Sequence, residues 1–108
     1  MLTTKWYQHI RYGQIFIFQI DVKETAKQYQ YIKSDKQVQS FDGKTERESW
    51  VVSGSRFSKT DPCLSDTYEQ AYNKVRAQLN ARVQFAKNKL EKELALLEVF
   101  NSVEYIKQ

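Results

Sequence analysis

Residues 67–99 read TYEQAYNKVRAQLNARVQFAKNKLEKELALLEV, without a single Gly or Pro. Apolar residues recur at Tyr72, Val75, Leu79, Val83, Ala86, Leu90, Leu94 and Leu97, in steps of three and four. That period is helical. Tyr72, Val75 and Leu79 return eleven places later as Val83, Ala86 and Leu90, and a repeat of about 3.67 residues per turn runs nearly straight along a helix. Upstream, Pro62 lacks an N–H and biases Asp61 towards extended backbone, so it marks a boundary. Asp66, with Glu69 three residues on, makes an N-terminal capping pattern and places acid where the helix dipole favours it. The expected helix covers residues 66–100, directly after that boundary. Asn101-Ser102 is a fraying point that leaves Val103, Tyr105 and Ile106 as a short apolar tail.

The length of this helix has a consequence. Some 33 residues at 1.5 Å each give about 50 Å, whereas a strand of about ten residues spans roughly 33 Å. An unbroken helix therefore outruns its own sheet and leaves Leu90, Leu94 and Leu97 uncovered. Exposed apolar stripes mark interaction sites. The expectation is a homodimer through Val83, Ala86, Leu90, Leu94 and Leu97. The competing reading, a break between Lys87 and Lys92 with a fold-back hairpin, lacks the turn residues that such connections use.

Ahead of the helix the periodicity changes to two. Phe16, Phe18, Ile20 and Val22 share one face of a strand over 14–23, with Gln19, Asp21 and Lys23 on the other. Gln28 to Lys33 reads as a second strand, and Val38 and Phe41 continue the sheet. Asp42-Gly43 is a hairpin turn signal, because Gly accepts positive φ. Glu46 to Ser53 alternates again, with Glu46, Glu48, Trp50 and Val52 on one face and the polar end projecting past the core. Ser53-Gly54-Ser55 turns the chain, and Arg56-Phe57-Ser58 pairs briefly. Residues 2–12 show no clean period and fit a helical turn or a strand equally well. The expected fold is α+β: an N-terminal antiparallel sheet of three to five strands (residues 1–60) packed on one long C-terminal helix, in a single domain of 108 residues.

Composition narrows the class. Hydrophobic residues make up 41% and aromatic residues 14% of the chain, with three Gly and one Pro, which describes a folded domain rather than a disordered one. Cys63 is the only cysteine, so an internal disulfide is impossible and a reducing compartment fits. Ile15-Phe16-Ile17-Phe18 is as long as any apolar run in the chain, far short of the ~20 residues of a membrane span. The expected location is cytoplasmic. The formal net charge is +4, and residues 1–60 carry ten Lys/Arg against six Asp/Glu while 61–108 carry seven of each. The excess on the sheet half favours an acidic macromolecular partner, or describes no more than a soluble surface with a positive bias.

Catalytic and cofactor chemistry finds little support. His9 is the only histidine, and nothing in the spacing brings it to Cys63 as a nucleophile–base pair. No metal-ligand spacing occurs, and the three Gly stand isolated at 13, 43 and 54, so no phosphate loop exists. Glu46 and Glu48 share a strand face, which acid–base chemistry could use and which surface charge explains as well. Glu91 and Glu93 do not face each other on a helix. The expectation is a non-enzymatic binding protein with no cofactor. Lys33, Lys36, Arg47 and Arg56 are the expected contact residues, with Tyr29 and Tyr31 as anchors that the core competes for. Trp50 is expected in the core. The runner-up is a small nucleic-acid-binding module, since aromatics among Lys/Arg on a sheet can stack bases and neutralise phosphates.

In its arrangement the chain resembles short phage- and prophage-encoded accessory proteins, a strand meander followed by a helix. Tyr29-Gln30-Tyr31-Ile32, Ser55-Arg56-Phe57-Ser58 and the helix opening Thr67-Tyr68-Glu69-Gln70-Ala71 carry the likeness, which covers most of the chain. The resemblance implies a protein that acts in the host cytoplasm by docking on host machinery, including as an inhibitor of host defence nucleases of the anti-CRISPR type. It assigns no residue a role.

Overall fold

The computed structural model describes residues 1–103, so the expected tail residues Tyr105 and Ile106 lie outside the described chain. The fold is α+β. Seven strands and two helices follow in the order β1 (Leu2–Arg11), β2 (Gln14–Glu24), β3 (Gln28–Tyr31), β4 (Gln37–Gln39), β5 (Thr45–Arg47), α1 (Glu48–Val51), β6 (Arg56–Ser58), β7 (Leu64–Ser65) and α2 (Tyr68–Ser102). Five strands form a curled antiparallel sheet in the order β6-β3-β2-β1-β7, and β4 and β5 form a separate two-stranded ribbon. The chain divides into a unit from Met1 to Arg76 and a second that begins at Ala77.

The β1–β2 hairpin is the frame of the first unit. Its register runs unbroken from Leu2 opposite Lys23 to Arg11 opposite Gln14. The two residues between, Tyr12 and Gly13, both hold positive φ (49° and 76°), as in the tight turns whose twist matches paired strands. Side chains alternate across each strand. Lys5, Tyr7, His9 and Arg11 therefore share a face with Phe16, Phe18, Ile20 and Val22, and pairing extends that face to Tyr29, Tyr31, Phe57 and Leu64. Phe16, Ile20 and Val22 are among the most deeply buried side chains, as their period predicts.

What covers this face differs from the expectation. The core cluster joins sheet residues to Val38, Val51 and Val52, and none of its members belongs to α2. The segment from β4 to α1 thus folds over the sheet and does the work assigned to the long helix. The predicted strand over 46–53 ends at Arg47. A helical turn follows, capped where the Val52 N–H donates to the Glu48 carbonyl. This turn buries Glu48 and Val51 on its inner side and turns Trp50 outward, so Trp50 is not a core residue. The Asp42-Gly43 turn forms as expected, with Gly43 at φ 91°.

The α2 start also shifts. A two-residue strand, Leu64–Ser65, pairs with Tyr7 and Trp6 before the helix begins. The cap is Thr67 rather than Asp66: its Oγ1 accepts the Gln70 N–H at 3.1 Å, and Gln70 Oε1 accepts the Asp66 N–H at 3.0 Å. Asp66 instead pairs with Lys5. In the first two turns Ala71 and Val75 are buried, and Tyr68 sets its ring edge on Trp6 at 5.2 Å.

The second unit continues α2 without interruption to Ser102, which answers the fold-back alternative in the negative. No residue from Ala77 to Val103 is buried, and only Leu79 is even half-covered.

Candidate functional site

Arg11, at the end of β1, donates from Nη1 to the Trp50 carbonyl at 3.0 Å. The Arg47 guanidinium sits 5.1 Å from the centre of the Trp50 ring. The Arg11 guanidinium lies 5.4 Å from the ring of Tyr12. Arg47, Trp50, Arg11 and Tyr12 are therefore linked in one strip, with a guanidinium near a ring at each end and the Trp50 backbone carbonyl joining the two pairs. Trp50 is 59% exposed and Tyr12 91%. Among the described residues neither guanidinium has a carboxylate partner. Local folding explains each placement. The hairpin projects Tyr12, and the α1 turn lifts Trp50 away from Val51 and Val52, which enter the core.

A second group gathers at the other end of the same β1 face, six residues or about 20 Å along the strand. The half-buried Tyr29 ring lies between two ammonium groups, Lys5 at 4.8 Å and Lys59 at 4.5 Å. They border a shallow cleft of about 530 Å³ that also takes in Ser65, Asp66, Gln70 and Lys74. These cations are already engaged. Lys5 pairs with Asp66 at 2.5 Å and Lys59 with Glu24 at 2.6 Å, while Lys74 donates to the Leu64 carbonyl at 2.7 Å. The pairing holds the carboxyls of Glu24 and Asp66 below their ordinary range and the Lys5 ammonium above its own. An anion entering this cleft would have to displace those carboxylates, so the Trp50 strip is the more available of the two.

A third group is internal. Glu48 is 1% exposed, and its Oε2 accepts the Tyr31 hydroxyl at 2.8 Å. Its other oxygen has Lys36 Nζ at 3.2 Å. Burial, then the bond to Glu48, pushes the Tyr31 hydroxyl well above the usual phenol range. A buried carboxylate needs such partners, because an uncompensated charge costs several kcal/mol.

The six expected contact residues do not meet on one surface. Tyr31 lies in the core with its hydroxyl occupied, so its ring offers nothing to a partner. Lys36 is held by Glu48. Arg56, opposite Gln30, belongs to the other face of the sheet from Tyr29 and Phe57. Lys33 is exposed in the connection after β3. Tyr29 sits between its two lysines, and Arg47 alone joins the open strip. Trp50, Arg11 and Tyr12 were missed. The signal available for Trp50 was its place three residues after Arg47, which on a helical turn shares a side with it.

Glu46 and Glu48 do not share a strand face, since the strand ends between them. His9 bonds the Tyr7 hydroxyl through Nδ1 at 3.4 Å, and burial, with Arg11 second, lowers its pKa. Burial and Asp61 push the Cys63 thiol up, away from the thiolate a nucleophile needs. Among the described residues no cluster of three or more His, Cys, Asp or Glu is placed to hold a metal, and no helix is long and apolar enough to cross a membrane. The expected interface residues Val83, Leu90, Leu94 and Leu97 are each more than half exposed, and Ala86 is exposed with them. Comparison with family models, with characterised proteins and with solved structures finds no match to this chain.

Proposed function

We propose that this chain is a non-enzymatic binding protein that docks an acidic protein on the strip formed by Arg11, Tyr12, Arg47 and Trp50. The exposed Trp50 ring, with a guanidinium against it and no carboxylate at hand, is the observation that carries the reading. Trp, Tyr and Arg dominate the energetics of protein interfaces, because they bury large area, and Trp and Tyr lose little freedom on binding. The left-handed backbone of Tyr12 supports it. A bulky residue there costs about 1 kcal/mol, where Gly or Asn would turn the chain without strain. The positive excess of residues 1–60 favours an acidic partner. The resemblance to phage accessory proteins adds that the partner belongs to host machinery, a defence nuclease among the options. Nucleic acid is the second reading, because the same exposed rings can stack bases.

Capture from host lysate by the wild type and by Trp50→Ala tests the proposal. Trp50 packs no core, so circular dichroism should show the variant folded as before. A protein retained by the wild type and lost with Trp50→Ala supports the reading. Binding to a single-stranded oligonucleotide that weakens steeply with salt would move the assignment to nucleic acid. Capture indifferent to Trp50 would sink it.

A further inference from the structure

The uncovered half of α2 has a symmetry in its sequence that the fold leaves unused. At 100° per residue, Val83, Ala86, Leu94 and Leu97 all fall within about 40° of the direction of Leu90. Leu90 is 57% exposed, and the others line up with it in solvent. The pattern is centred on Leu90: Val83 and Leu97 lie seven residues either side, Ala86 and Leu94 four. Charge mirrors about the same point. Arg82, Lys87 and Lys89 precede it, and Glu98, Glu93 and Glu91 follow at the same separations of eight, three and one. Each base before Leu90 is matched by an acid after it, and Lys92, whose mirror position is Asn88, stands outside the pattern on the far side of the helix.

Nothing within a single helix accounts for this order. The macrodipole favours acid early and base late in a helix, the reverse of the arrangement here. Lys87 with Glu91 and Lys89 with Glu93 are four apart, but base before acid is the weaker order for pairing along one helix. Among the described residues none of these side chains forms an ion pair.

We propose that residues 79–101 pair with the same segment of a second copy in antiparallel orientation, centred on Leu90. Turned end for end, the stripe meets itself, with Val83 level with the partner copy's Leu97 and Ala86 level with its Leu94. Small then faces large, and Leu90 meets its own copy. Lys87, Glu91 and Glu98 flank the stripe on one side, and Arg82, Lys89 and Glu93 on the other. A two-fold axis across an antiparallel pair brings like flanks together. Lys87 then falls between Glu91 and Glu98 of the second copy, and Glu93 between its Arg82 and Lys89. A parallel pair crosses the flanks instead. Lys87 then meets Lys89, and Glu91 meets Glu93, so like charges oppose along the seam. Only Lys89 and Glu91 stand near their own copies in the antiparallel pair, so opposite charge outweighs like charge there, whereas in the parallel pair the like contacts outweigh that of Glu91 with Lys89; the balance favours the antiparallel arrangement.

Two measurements on the full chain test this. Sedimentation should show a dimer that Leu90→Lys weakens by on the order of a hundredfold. Lys87→Glu with Lys89→Glu should weaken it by about tenfold or more. Residue 90 is exposed, so the first variant should fold unchanged. Orientation is read from a spin label at Gln78→Cys in a Cys63→Ser background. Antiparallel pairing places the two labels about 36 Å apart along the axis, from 24 residues at 1.5 Å. Parallel pairing sets them level, separated only by the width of the pair, about 20 Å. A monomer at high concentration, a dimer indifferent to Leu90→Lys, or a label distance near about 20 Å overturns the proposal.

Discussion

The unit from Met1 to Arg76 and the segment from Ala77 to Val103 spend apolar residues in opposite ways. In the first, Phe16, Ile20, Val22 and Val51 are almost wholly withdrawn from water. In the second, Leu90, Leu94, Leu97 and Phe100 are each more than half exposed. Burial on this scale is what stabilises a fold, at about 1.5–3 kcal/mol per large apolar side chain. The first unit therefore holds the buried core, and the helix beyond Arg76 leaves its apolar side chains open to water. Residues of the same type have different roles because only the first set has a second layer to meet.

The largest test of that contrast compares truncations in the two regions. Phe16→Ala should cost about 3–5 kcal/mol of folding stability, through lost burial and the cavity left behind. Leu97→Ala, measured in dilute solution by the same urea titration, should change stability by no more than about 0.5 kcal/mol. A comparable loss from both would mean that the distal helix is part of the fold.

Next in size is the buried carboxylate. Lys36→Ala leaves Glu48 with only the Tyr31 hydroxyl, and should cost about 1–3 kcal/mol. Lys36 is itself half exposed, so the loss should fall short of that for a fully buried ion pair. Exchange of Lys33 for Ala, three residues away, should be nearly silent and serves as the control.

Alkaline stability separates the regions again, because the most strongly shifted groups lie in the sheet unit. Burial pushes the Tyr7 hydroxyl up to about 12. Its unfolded value is about 10. The folded state thus favours the neutral phenol, and that contribution is complete below about pH 10. It is lost as pH rises from about 10 towards 12, by on the order of 2 kcal/mol. Denaturant titrations of the wild type and Tyr7→Phe at pH 9 and pH 12 check this. The variant should lose less between the two, with Tyr31 accounting for part of what remains.

The smallest effect is a gain. Tyr12→Asn relieves the left-handed strain and should stabilise the protein by about 0.5–1 kcal/mol. If the proposed docking strip is right, the same change weakens partner capture. A residue that costs stability and aids binding is what a functional surface is expected to contain.

The contrast between regions also explains what could be read from sequence. β2 was legible, because one of its faces is buried and the other largely wet, which produces a clean period of two. The long helix was legible for the lack of any breaker and the steadiness of its steps. β1 was not, since Tyr7 is buried on one face and Gln8 on the other, which erases the alternation. The turn Glu48–Val51 was hidden for a different reason. Glu46, Glu48, Trp50 and Val52 imitate a strand, while the true inward set is Glu48, Val51 and Val52, a helical spacing. A carboxylate in that set looks wrong until its partners are known, and Tyr31 and Lys36 come from other parts of the chain. The open strip was missed with it, because hydrophobicity alone placed Trp50 indoors. The stripe centred on Leu90 was legible as a stripe, but Phe85, Leu96, Val99 and Phe100, exposed on other sides of the helix, were not singled out.

Hydrogen–deuterium exchange at two protein concentrations tests the central division most directly. The account predicts that amides of residues 79–101 become more protected as concentration rises from well below to well above the dimer dissociation constant, while those of the β1–β2 hairpin stay the same. Protection of 79–101 that is independent of concentration would contradict it.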